Sequence, residues 1–276
     1  MRAIPVIAGL TFREAARKKL LWMALAAGIA FLALFGTGLH YQAKDLAARS
    51  HAIIRRPALE SMLMVGLYAT DLLAVLMTVL TSVDTLSGEI DSNTLHALAA
   101  KPVYRREILL GKWLGLAAML TAYVLFMTGG ITLISNRIGG VRPQHLANGL
   151  VLIWLECLLM LSVTIAGGTY LSTLTNGVMA LGLHGLAFLG GWVEQAGAAL
   201  HSPRAVDVGI VASLIMPTES LWRRAAFEMQ SPLINALGFS PFSTLSVPSP
   251  AMMGYALAYL LAALGLALWR FSRLDL

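Results

Sequence analysis

A single cysteine, a low share of charge and the lack of a nucleotide-binding loop bound what this 276-residue chain can be. The lone thiol, Cys157, excludes an internal disulfide framework and any multi-cysteine zinc site. Charged residues make up 12% of the chain, about half the share usual in soluble domains, so no stretch reads as one. There is no G-x-x-x-x-G-K-[ST] phosphate loop, because Gly111-Lys112 is followed by Trp113 and lacks the upstream glycine. There is also no H-E-x-x-H and no G-x-S-x-G, which makes a membrane enzyme the weakest reading. The net charge of +6 is not gathered into a basic face with base-stacking groups. Nucleic acid is therefore excluded as a partner, and membrane lipid headgroups are left as the counterpart of the charge.

What the chain has in quantity is apolar surface: 58% of residues are hydrophobic and mean hydropathy is +0.74. A spanning helix needs about 20 mostly apolar residues. Six runs qualify, at 20–39, 61–83, 113–135, 148–171, 176–193 and 251–269. The expected fold is an all-α integral membrane protein, one permease-like domain over 1–276, with six transmembrane helices. An amphipathic interfacial helix over 1–19 precedes them. Arg13, Glu14, Arg17 and Lys18 share one of its faces, and Ile4, Ala8, Phe12, Ala15 and Ala16 the other. The basic residues follow the first short apolar run, the wrong order for a cleaved signal, so 20–39 reads as a retained span.

An even number of spans puts both ends on one side. With the ends in the cytoplasm, eleven of the twenty Lys and Arg fall on the inner side, five of them before the first span. That is the direction of the positive-inside rule. On the outer side, 194–250 contains a second apolar piece over 206–216, ended by Pro217. It is too short to cross and suits a re-entrant or surface helix. The following Trp222, Arg223 and Arg224 suit an anchor at headgroup level.

The polar segment 84–112 stands apart from its apolar surroundings. Residues 92–100 can form a short helix with Ser92 or Asn93 as N-cap. Pro102 stops it, and a new helix starting near Arg105 runs into the third span, with Gly111 and Gly115 spaced for close helix packing. Such a corner can pass a push to the second and third spans together.

Three polar side chains fall inside spans: Asp71, Glu156 and His184. An Asp at a helix centre costs about 2.5–3.5 kcal/mol, against roughly 0.3–0.6 gained per Leu or Val. Asp71 should thus face protein or a wet cavity. The three residues suit a translocation path, a proton-linked pairing, or hydrogen bonds that fix helix register. The 13 Met suggest soft-metal binding, but no M-x-x-M or C-x-x-C cluster appears in a loop. No metal or cofactor is expected on this chain.

The segment 84–112 resembles the first cytoplasmic loop of the type-2 ABC exporter permeases. The matching positions are Glu89, Thr94, Leu95, Leu98, Pro102, Val103, Arg105, Ile108, Leu109, Leu110, Gly111 and Lys112, with Asn93 where the family has glycine. The leading TFREAARKKLLW and the closing FSRLDL also resemble that family. Overall similarity leans toward the subgroup linked with maturation of multicopper enzymes, including nitrous oxide reductase assembly. The resemblance implies a permease subunit with no ATPase of its own, in a bacterial plasma (inner) membrane, with both termini cytoplasmic. A separate cytoplasmic ABC ATPase subunit would carry ATP and Mg and dock on Glu89, Asn93, Thr94, Leu95, Leu98, Pro102, Arg105, Gly111 and Lys112. A second permease copy or a sibling would complete the transporter.

Two alternatives of other classes stay open. A proton-coupled secondary transporter would use Asp71, Glu156 and His184 as a relay, although no inverted repeat is seen. A scaffold subunit would hold a periplasmic client through 194–250.

Overall fold

The computed structural model describes residues 3–49, 52–91, 104–231 and 246–273. Among them the chain is helical, with no strand. Helix α1 (Ala3–Arg17) bends at Lys18 into α2 (Lys19–Arg49). Helix α3 (Ala52–Ser82) passes through a one-residue break at Val83 into α4 (Asp84–Asp91). There follow α5 (Arg105–Gly139), α6 (Leu146–Gly167) and α7 (Thr173–Ala199). A helix pair, α8 (Pro203–Ile215) and α9 (Thr218–Met229), precedes the last helix, α10 (Pro250–Ser272). Six helices are long and apolar enough to cross a membrane: α2, α3 with its continuation, α5, α6, α7 and α10. The all-α, six-span architecture expected from hydropathy is the one observed.

Helix α6 is the hub. Of its most apolar window 72% is buried inside the protein, against 11% for α2 and 17% for α10. The last two therefore turn most of their surface outward, as helices solvated by lipid can. Helix α5 has 35 residues, a length of about 52 Å, well beyond the ~30 Å hydrocarbon layer. Its apolar body starts at Trp113, and the charged first turns, Arg105 to Lys112, precede it.

Local chemistry sets the helix ends. Helix α5 stops where Gly140 takes a left-handed conformation (φ 66°) and its N–H bonds the Ser135 carbonyl. Helix α6 ends at Gly167, four residues before the expected boundary, because the Asn176 amide donates to the Thr164 carbonyl (2.9 Å) and closes the last turn. Helix α7 runs past the expected end at 193 to Ala199. The charge that suggested a loop there, Glu194, is buried at 4% exposure and paired.

The segment 194–250 is not an open loop in its described part. Pro217 cannot donate a helical hydrogen bond, and it holds Met216 extended (φ −145°, ψ 105°). The α8 and α9 axes consequently meet at 108°. Helix α8 lies against α7 through small residues. A Cβ at Gly190 would meet the Ala212 side chain, one at Gly197 the Ala205 side chain, and one at Gly209 the Glu194 side chain. Helix α9 returns to the end of the bundle where it began: Gln144 and His145, just before α6, donate backbone bonds to Met229 (3.1 Å) and Glu228 (3.2 Å). Both ends of the pair thus lie at one end of the bundle, and the bend dips inward as a re-entrant hairpin. Trp222 (3% exposed) and Arg223 (4%) are inside it, so the expected headgroup anchor is corrected. We expect Gly209→Val to overpack this contact by about 1–3 kcal/mol, read as a lowered unfolding midpoint in detergent micelles.

Candidate functional site

The expected coupling segment is described at its two ends only. Glu89 lies on α4 and Arg105 begins α5. Asn93, Thr94, Leu95, Leu98 and Pro102 lie outside the described residues, as do the proposed short helix and its corner. Residues 84–91 form a helix where a loop was expected.

Both described ends are fastened to neighbouring helices. The Lys18 ammonium, at the α1–α2 bend, donates to both Asp84 carboxylate oxygens (3.1 and 2.9 Å) and reaches Glu14 at 4.0 Å. Lys112 is only 5% exposed, and its Nζ donates to the Thr85 carbonyl at 3.4 Å. It therefore ties the far end of the segment to the near end from inside. Gly111 and Gly115 let α1 press onto α5. A Cβ at Gly111 would stand 2.6 Å from Ile7 Cβ, and one at Gly115 2.6 Å from the Ala8 carbonyl. The face α1 turns to the protein is that of Ile7, Ala8, Thr11 and Ala15, while Phe12 points outward at 40% exposure. On the other flank, the Ser87 and Thr173 hydroxyls are 2.8 Å apart, and the Asn176 amide donates to the Val83 carbonyl at 3.4 Å. The ends of one segment thus bear on α1, α3, α5 and α7.

A second polar group lies within the bundle. Asp71 (α3) and Glu156 (α6) are buried neighbours, at 4% and 0% exposure. Neither Glu156 oxygen has a donor partner among the described residues. His184 (α7) stands 3.9 Å from Glu156 and 3.2 Å from the Thr218 hydroxyl at the start of α9. Glu219 follows, against Gly191. The three intramembrane residues singled out in the sequence therefore meet at the tip of the re-entrant hairpin. No group of three or more His, Cys, Asp or Glu among the described residues is placed to hold a metal ion.

Sequence reasoning missed the ion pair that pins the hairpin. Arg223 faces Glu194 end-on, Nη1 to Oε1 and Nη2 to Oε2, each at 2.8 Å. Ser246 donates to Glu194 at 2.6 Å and Arg223 reaches Ser213 at 3.4 Å. The available signal was an acid at the end of one apolar run facing a base just beyond another.

A polytopic helical bundle with a charged segment clamped at one end and a polar core beneath a re-entrant hairpin is built as the membrane component of a transport system. The chain belongs to the ABC-2 family transporter proteins, whose family model matches residues 6–276. It is thus a permease subunit of an ABC transporter, the transport component and not the catalytic one, and the family implies a partner ATP-binding subunit in general. No curated protein matches the chain.

Proposed function

We propose that this chain is one permease half of an ATP-driven exporter, powered by a separate ABC ATPase that docks on 84–112. The observation that supports this best is the clamp: a push on the segment reaches four helices through the Lys18–Asp84 pair, the Lys112–Thr85 bond and the glycine contacts. ATP binding would draw two ATPase subunits together beneath two permease halves, either two copies of this chain or this chain and a sibling. The small Lys and Arg excess favours a cytoplasmic side for both termini and 84–112, and the family resemblance supports a bacterial inner membrane. Overall sequence similarity leans toward the multicopper-enzyme-maturation subgroup, and the cargo stays open among lipid, peptide, drug, polysaccharide and metal-linked classes.

Co-expression with a candidate ABC ATPase from the same genome tests the proposal. Wild-type chain should retain the ATPase through purification. Arg105→Glu should lose it, or cut coupled hydrolysis about tenfold, which is 1.4 kcal/mol, with membrane insertion unchanged. Equal retention and equal hydrolysis in the variant would refute docking on this segment.

The meeting of Asp71, Glu156 and His184 favours one second reading, a proton-coupled carrier. It predicts transport by the purified chain alone under a pH gradient, without nucleotide. The scaffold reading is weakened at α9 alone, which is packed inside the bundle rather than presented to a client.

A further inference from the structure

Helices α7 and α10 both pack on α6 and leave an apolar groove between them. Its floor is Val163 and Ala166, and its walls are Met179 and Leu183 on one side and Ala263 and Leu266 on the other. The cavity measures 460 Å³, inside the range of about 300–1,000 Å³ typical of ligand sites. Tyr259 marks one end and Tyr170 the other.

At the Tyr170 end stands Arg270. Its guanidinium lies 5.1 Å from the centre of the Tyr170 ring. Its Nε is buried with no hydrogen-bond partner, and no carboxylate pairs with it among the described residues. Arg273 adds a second cation over Trp269, at 4.5 Å. From Tyr259 to Arg270 the helix rises about 16 Å, close to the ~15 Å depth of hydrocarbon in one leaflet. The groove together with the arginine one turn beyond its last lining residue, Leu266, therefore spans about the depth of one leaflet and carries positive charge at the Tyr170 end.

We propose that this groove holds one acyl chain of an anionic phospholipid whose phosphate is bound by Arg270. Basic pockets between transmembrane helices select anionic headgroups by this means, and guanidinium N–H groups match phosphate oxygens in fixed geometry. A second copy of the chain fits less well. A two-fold contact through this groove would bring Arg270 toward its own symmetry mate, like charge against like. The inference does not depend on where the ATPase docks.

The test uses full-length protein purified in neutral detergent, stripped of lipid and titrated separately with phosphatidylglycerol and phosphatidylcholine, with bound lipid read by native mass spectrometry. Wild type should bind phosphatidylglycerol about tenfold more tightly, the scale of one charge-assisted hydrogen bond. Arg270→Gln should abolish that preference, Arg270→Lys should keep most of it, and Ala263→Trp, which fills the groove, should lose both lipids from this site. Equal affinity of wild type for the two lipids would overturn the proposal, as would an unchanged preference in Arg270→Gln. So would cross-linking of Leu266→Cys to another copy in native membranes, which would give the groove to a dimer contact.

Discussion

Arg223→Met should lower the stability of the bundle by about 3–5 kcal/mol, the range for removing one partner of a buried ion pair. Both side chains are 5% exposed; Glu194 Oε2 accepts from Arg223 Nη2 at 2.8 Å, and Oε1 lies 2.8 Å from Nη1 as an ion pair. Without Arg223, the Glu194 carboxylate keeps, among the described residues, only the Ser246 hydroxyl, in surroundings where an unpaired charge is poorly solvated. The double variant Glu194→Gln/Arg223→Met removes both charges at once. It should recover most of the loss, because a buried pair replaced by neutral groups is often close to neutral in stability. Reversible unfolding of the three proteins in mixed micelles gives the comparison. A double variant as unstable as the single one would mean that Arg223 acts through another contact. The pair is more than a local staple, since it joins the end of α7 to the returning arm of the hairpin. Its loss should also loosen the hairpin tip, where Thr218 and Glu219 meet His184 and Gly191.

How far the sequence disclosed this arrangement follows from what kind of signal each feature leaves. The six spans were legible because a run of about 20 apolar residues is itself the physical requirement for crossing hydrocarbon. Pro217 was legible as a break because its missing N–H acts locally, whatever the surroundings. Gly111 and Gly115 were legible as a place of close approach, but the helix that approaches was not, since Ile7 and Ala8 are about a hundred positions away and carry no mark of the contact. Trp222 and Arg223 were misread for a related reason. Both residue types favour the headgroup zone, and only the three-dimensional position of Glu194 turns the arginine inward. Residues 84–91 were read as loop from Ser87, Gly88 and two Asp, all poor helix formers. Their helix is held by contacts made elsewhere, with Lys18 and Thr173. Asp71, Glu156 and His184 stood out singly as expensive residues in a membrane, and their meeting point depended on Thr218 and Glu219 of a helix that hydropathy alone did not place.

Gly115→Leu should separate α1 from α5 and, on the proposed mechanism, uncouple the permease from its ATPase. The added Cβ would stand 2.6 Å from the Ala8 carbonyl and 2.9 Å from Thr11 Cβ. The carbonyl belongs to a helix backbone and Cβ has no rotamer, so neither obstacle can swing aside as the tip of a long side chain could. Relief requires α1 itself to move, at a cost of about 1–3 kcal/mol. That movement would strain the Lys18–Asp84 pair two turns further along. Two readouts follow. Trypsin should cut faster at Arg13 and Arg17 in reconstituted protein, and ATPase stimulation by the permease should fall about tenfold, equivalent to 1.4 kcal/mol. Gly129→Ala is the matched control on the same helix, since nothing stands within 4 Å of its added Cβ; it should leave both readouts unchanged. If Gly115→Leu exposes α1 to trypsin yet leaves stimulation intact, the clamp is structural, and force must reach α5 through residues 92–103 directly. If neither readout changes, α1 is not held by this contact at all.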